Sequence, residues 1–137
     1  MKYLIDTNIF IYIFEKKYDK LSSKQRSILN NAKNEFYLSE ASYFEIAIKR
    51  RMGKPDFSHI SVALLESDRK VLGIKLLKPK TEHYLNVVNV EKVLTSNGKP
   101  HADPFDLLII SQAIVEQFPV LSTDNYFPDY KQIKAIS

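Results

Sequence analysis

"YLIDTNIFIYIFEK", residues 3–16, opens with three consecutive apolar residues, Tyr3, Leu4 and Ile5, and then meets a carboxylate at Asp6. A short continuous apolar run is the pattern of a strand buried on both faces, whereas a half-exposed strand alternates. The residues from Asn8 towards Lys16 continue as a helix, so Asp6 stands where strand becomes loop. The same run also tests for a leader segment, because Lys2 precedes it. Asp6 and Asn8 interrupt its apolar character, Glu15, Lys16 and Lys17 end it, and no small-residue cleavage site follows. With no uninterrupted apolar stretch near the ~20 residues of a membrane span, the expectation is a cytoplasmic protein with no membrane partner.

The strand-then-helix unit recurs downstream. "SSKQRSILNNAK" (22–33) reads as a helix with Ser22 or Ser23 as N-cap and Ile28 and Leu29 facing inward, and "EFYLS" (35–39) as a second strand. Ser39 can cap the helix "EASYFEIAIKRRM" (40–52), which stops near Gly53 and Pro55. A helix is expected from His59 to Leu72, then a third strand "IKLLK" (74–78). Another helix follows from about Thr81, as its cap, to Leu94. "TSNGKPHAD" (95–103) is the clearest loop, and Pro104 to Gln117 the most apolar helix. "PVLSTD" (119–124) is a fourth short strand and "QIKAI" (132–136) a fifth at an edge. Short strands alternating with longer helices predict an α/β layer fold with a mostly parallel sheet of four to five strands. At 137 residues, without repeats or a dividing linker, the chain reads as a single domain, 1–137.

Composition narrows the chemistry. Hydrophobic residues make up 45% and charged residues 26%, which excludes disordered and low-complexity classes. Cysteine is absent, removing disulfides, thiolate nucleophiles and cysteine-bound zinc, and fitting a reducing compartment. Twenty Lys and Arg against 16 Asp and Glu leave a formal +4, a mild excess that suits an anionic partner.

Against that background the inward-facing acids stand out. In open parallel sheets ligands collect outside the carboxyl ends of the strands, the position of both Asp6 and Asp124. Each also has a structural reading, Asp6 as an N-cap and Asp124 in a turn-rich stretch. Glu45 is four residues before Lys49, the spacing of a helix-supporting ion pair, yet Ala41, Ser42 and Ile48 give it a small and apolar surround. Asp103 precedes Pro104 and reads as an N-cap, with Asp106 at the third helical position. Capping explains Asp106 less well. It shares its face with Ile109, Ile110 and Ala113, and an unpaired buried carboxylate costs several kcal/mol. Something cationic should stand opposite it, and its own helix carries no Lys or Arg. A cluster of Asp6, Glu45, Asp106 and Asp124 repels itself unless a divalent cation sits among them, and carboxylate oxygens are what Mg²⁺ and Mn²⁺ prefer. Metal-assisted phosphodiester chemistry is the reading this supports.

Weaker features surround the acids. Lys49, Arg50, Arg51 and Lys54 can hold a nucleic-acid backbone, although a basic helix end also suits the helix dipole. His59, His83 and His101 lack zinc-ligand spacing and read as surface or loop histidines. Tyr126, Phe127 and Tyr130 read first as core, with a place at the site's rim as the second reading. The chain has no Walker loop, GxGxxG or GxSxG motif.

In order and spacing, "LIDTNIFIY", "SEASYFEIAIKRRMGK", "HADPFDLLIISQA" and "VLSTDNYFPDY" resemble the PIN-domain family, and within it the toxins of VapBC toxin–antitoxin modules. The resemblance spans nearly the whole chain. It implies a three-layer α/β/α domain and a Mg²⁺- or Mn²⁺-dependent endoribonuclease that is held inactive by a cognate antitoxin and commonly dimerises. By motif, Asp6, Glu45, Asp106 and Asp124 match the family's four acids, Asp103 belongs to "DPFD" as an assisting ligand or a cap, and Asn8 and Thr123 match flanking polar positions that support the acids. Two positions depart from the pattern. Relatives with "HxDPFD" usually carry arginine where this chain has Leu107, and often a basic residue at Ala102, so RNA contacts made there in relatives are absent or altered here. Alternative readings are a catalytically silent binding module of the same fold and a phosphatase with Asp6 as nucleophile. The latter class expects a second aspartate where Asn8 stands.

Overall fold

A computed structural model describes all of residues 1–137. Strand β1 (Lys2–Ile5) runs down the middle of a five-stranded sheet whose order is β3-β2-β1-β4-β5, with β2 at Glu35–Ser39, β3 at Lys75–Leu77, β4 at Val120–Leu121 and β5 at Ala135–Ile136. Every pairing is parallel. The continuous apolar run of β1 is used as its pattern predicts: Tyr3 and Ile5 enter one hydrophobic core, and Leu4 enters the other on the opposite face. Six α-helices complete the layers: α1 (Thr7–Phe14), α2 (Ser23–Leu29), α3 (Ala41–Arg51), α4 (Leu65–Val71), α5 (Thr81–Leu85) and α6 (Pro104–Glu116). Ile9, Phe10 and Ile13 of α1 and Leu65 of α4 belong to the first core, and Ile109, Ile110 and Ala113 of α6 to the second.

Three helices are shorter than the sequence suggests. Residues 59–72 do not form one helix. Ser61 is extended, a 3₁₀ turn covers Val62–Leu64, and α4 begins only at Leu65. Ser58, Ser61, Ile60 and Val62 are weak helix formers, and Ile60 is drawn into the core ahead of the helix. Likewise α5 ends at Leu85, passes into a 3₁₀ turn at Asn86–Asn89 and becomes extended at Val90. Val87 and Val88 are β-branched, and the flanking asparagines bond to each other, Asn89 Nδ2 donating to Asn86 Oδ1. Thr81 does not cap this helix, because Lys80 holds the cap position and its backbone N–H donates to His83 Nδ1. In α2, which ends at Leu29, Ser22 forms the capping box with Gln25, whose amide donates to the carbonyls of Ser122 and Ile136. That one glutamine ties α2 to the ends of β4 and β5.

The strand order reverses between β1 and β4. The crevice outside their carboxyl ends is the topological switch point of the sheet, the place where such folds bind ligands. Asp6 follows β1 directly, and Ser122, Thr123 and Asp124 follow β4.

Candidate metal centre

Asp6 is buried and caps α1, its Oδ1 accepting from the Ile9 N–H at 2.8 Å. Its Oδ2 accepts from Ser122 Oγ at 2.6 Å and from the Thr123 N–H at 3.2 Å. Burial pushes its carboxyl up to about 6, against the pull of these three donors and with the charge of Asp124 adding to the rise. The same side chain therefore caps a helix and stands within the field of Asp124.

Glu45 projects from the middle of α3 and is also buried. Its Oε1 accepts from Thr7 Oγ1 at 2.5 Å, and Thr7 Oγ1 lies 2.9 Å from Ser42 Oγ. Its Oε2 meets Lys49 Nζ at 2.6 Å. Burial alone would pull the Lys49 ammonium down, but Glu45, Asp103 and Asp106 outweigh it and hold its pKa above the ordinary value. Lys49 is thus turned into the acid cluster, its ammonium 5.1 Å from the Phe57 ring centroid.

Asp103 caps α6 as its place before Pro104 predicts, Oδ1 accepting from the Phe105 and Asp106 N–H groups. Asp106 lies one turn in, its side chain 20% exposed. Burial first, then the charges of Asp103, Asp124, Glu45 and Asp6, push its carboxyl up to about 8. All four other acids act on this one group. Asp124 sits in a turn whose Oδ1 accepts from the Tyr126 N–H at 2.7 Å, while its own N–H donates to Ser122 Oγ. Donor atoms of Asp106, Asp124 and His101 lie within 4.8 Å of one another. Two full negative charges at that separation repel by roughly 3–4 kcal/mol at an effective dielectric near 20, more than the roughly 0–1 kcal/mol of a surface ion pair.

His59 is exposed and His101 lies in a loop as read, but His101 packs against the acids, and His83, buried in α5, departs from the surface-or-loop reading. The His101 Nε2 lies 3.1 Å from Asp106 Oδ2 and its Nδ1 2.8 Å from the hydroxyl of the buried Tyr130. His83 is fully buried between α5 and α6, its Nε2 2.9 Å from Glu116 Oε2. Glu82 completes a second cluster there, but Nδ1 of His83 accepts a backbone N–H, so Nε2 carries the proton to Glu116 and this group reads as a tie between helices. Ser122, Thr7 and Ser42 were also invisible as site residues in the sequence. Only the convergence of β1, β4 and α3 identifies them. Thr123 meets Asp6 through its backbone. Asn8, by contrast, is exposed and makes no hydrogen bond to an acid, and Arg50 and Arg51 are exposed at the end of α3. Leu107 and Ala102 line an apolar groove of about 620 Å³ beside the acids, with Phe44 and Phe105 packed edge-on across it.

The model of the PIN domain family matches residues 3–133. The chain belongs to the PIN domain family. No curated protein sequence matches it. Among solved structures it resembles the crystal structure of VapBC2 from Rickettsia felis bound to a DNA fragment from their promoter. There the TM-score is 0.67 at 18% identity, over 99% of this chain and 98% of that one. It also resembles the 2.2 Å structure of VapBC-1 from nontypeable Haemophilus influenzae, with a TM-score of 0.66 at 22% identity over 100% and 98% of the two chains. At these identities the likeness establishes the fold.

Proposed function

We propose that this PIN domain is a divalent-metal-dependent endoribonuclease, the toxin of a type II toxin–antitoxin pair, acting as a single domain in the cytoplasm. The observation that carries the reading is the state of Asp106: a largely buried carboxylate, surrounded by four others, with the Glu45-bound Lys49 as the nearby cationic group and the His101 imidazole against its Oδ2. An all-oxygen acid cluster of this kind fits Mg²⁺ or Mn²⁺, which relieves the mutual repulsion that burial imposes. The residues that would hold the ion are Asp6, Glu45, Asp106 and Asp124, with Asp103 at the edge. The ion when bound supplies Lewis acidity, lowering the pKa of water and neutralising charge that develops on a phosphodiester.

The chain's own residues do the rest. Ser122 and the Thr123 amide fix the Asp6 carboxylate, and Thr7 and Lys49 fix that of Glu45, so two acids are oriented before any substrate arrives. Arg50 and Arg51, exposed in the last turn of α3, offer charge to an RNA backbone, with Asn8 as a further polar position two residues from Asp6. Membership of the family and fold likeness to two VapBC assemblies support a cognate antitoxin as partner, and a homodimer belongs to the same reading.

The test is cleavage of a panel of structured RNAs by purified protein in Mn²⁺ or Mg²⁺ and in EDTA, alongside Asp6→Asn. Metal-dependent cutting that Asp6→Asn abolishes is the expected result. Cutting that persists in EDTA or in the variant overturns the reading.

A further inference from the structure

We propose that His101 is a positioning residue: locked by Tyr130 through Nδ1, it donates its Nε2–H to Asp106 Oδ2 and leaves Oδ1 of that carboxylate for the divalent cation. The inference rests on the metal-centre reading above and adds a residue that reading does not use.

The hydroxyl of Tyr130 selects the imidazole's tautomer. Tyr130 is 1% exposed and its hydroxyl has a single partner, His101 Nδ1 at 2.8 Å. A buried phenol with one partner donates to it, which makes Nδ1 the acceptor and puts the ring proton on Nε2. Nε2 then faces Asp106 Oδ2 at 3.1 Å, and a carboxylate that holds a cation is ionised and can only accept. Both ring nitrogens and the phenol are satisfied by this one arrangement. Asp106 Oδ1 has no hydrogen-bond partner within the protein.

The ring is also held in place. The His101 N–H donates to the Val93 carbonyl at 2.7 Å, at the foot of a small hairpin that the Leu94–Pro100 bridge closes. Its imidazole lies over the Tyr126 ring with centroids 5.2 Å apart. Tyr126 and Tyr130 flank Phe127, which is buried in the core beneath β4. The orientation of Asp106 is therefore tied through one histidine to the segment that carries Asp124. A partner that fixes a ligand's rotamer without touching the ion typically changes metal affinity by roughly 10–100-fold when removed.

Calorimetric titration of Mn²⁺ into the full chain tests this, comparing wild type with His101→Ala, His101→Gln and Tyr130→Phe. We expect His101→Ala to bind roughly ten-fold or more weakly. His101→Gln should recover part of the loss, because its amide can donate to Asp106, and Tyr130→Phe should weaken binding by a smaller factor. The urea midpoint of each metal-free variant reports its folding, and if His101→Ala is unfolded the other two variants carry the test. Wild type that binds no Mn²⁺ overturns the metal-centre reading itself. Wild-type binding left unchanged by His101→Ala, or a glutamine no better than alanine, overturns this proposal alone. So does a directly coordinated imidazole nitrogen in the electron spin-echo spectrum of the Mn²⁺-loaded wild type, which would make His101 a ligand.

Discussion

Asp106 is a carboxylate placed where the protein alone makes it unwelcome. Its neutral isostere relieves the repulsion from Asp103, Asp124, Glu45 and Asp6 while keeping an oxygen for His101. Asp106→Asn should therefore stabilise the metal-free protein at pH 8 by about 1–3 kcal/mol in urea denaturation, and at the same time abolish metal-dependent cleavage. A variant that is less stable and still active would show that the group is structural. At this scale the acids were legible because a charge among Ile109, Ile110 and Ala113 violates the pattern of its own helix. The residues that hold the acids were not. Ser122, Thr7 and His101 are ordinary as sequence, since a serine at a strand end and a histidine in a loop gain meaning only from a neighbour 116, 38 or 5 positions away.

Among elements, α6 shows how a helix start can serve two ends. Asp103 satisfies two otherwise unpaired N–H groups with Oδ1 and adds the largest single neighbouring charge felt by Asp106. Asparagine caps as well as aspartate does, whereas alanine does not. Asp103→Asn should hold metal-free stability within about 0.5 kcal/mol and weaken Mn²⁺ binding several-fold, while Asp103→Ala should cost about 1 kcal/mol in addition. Denaturation and calorimetry on the two variants separate cap from charge. The strands and their parallel order followed from apolar runs set between helices, and the ends of α4 and α5 did not. Those ends are fixed by Ile60 seeking the core and by Asn86 bonding to Asn89, local competitions that helical periodicity does not register. Gln25 escaped for a related reason: a polar residue on a helix reads as solvent-facing, yet it is buried on the carbonyls of Ser122 and Ile136.

For the whole molecule, Asp6 and Asp106 set a pH dependence opposite to that of most folded proteins. Their carboxyls sit near 6 and 8 in the folded state, above the ordinary aspartate value of 3.8. The folded state thus binds more protons than the unfolded one across that interval, so metal-free stability falls as pH rises from about 4 towards 8. The melting temperature in EDTA should be higher at pH 5 than at pH 8. Millimolar Mn²⁺ should reverse the order, because the ion binds the ionised cluster. A metal-free melting temperature that climbs over the same interval would contradict the electrostatics described here.

The sheet order carries one more implication, for the time course of synthesis. Asp6 and Glu45 belong to the first third of the chain, whereas Asp106 and Asp124 belong to its last quarter, on either side of β4, which pairs with β1. A nascent polypeptide long enough to pair β1, β2 and β3 still lacks half of the acids and the serine that steadies Asp6. On the ribosome, a chain that stops short of Asp124 cannot assemble the centre, which waits for β4 to emerge and dock beside β1.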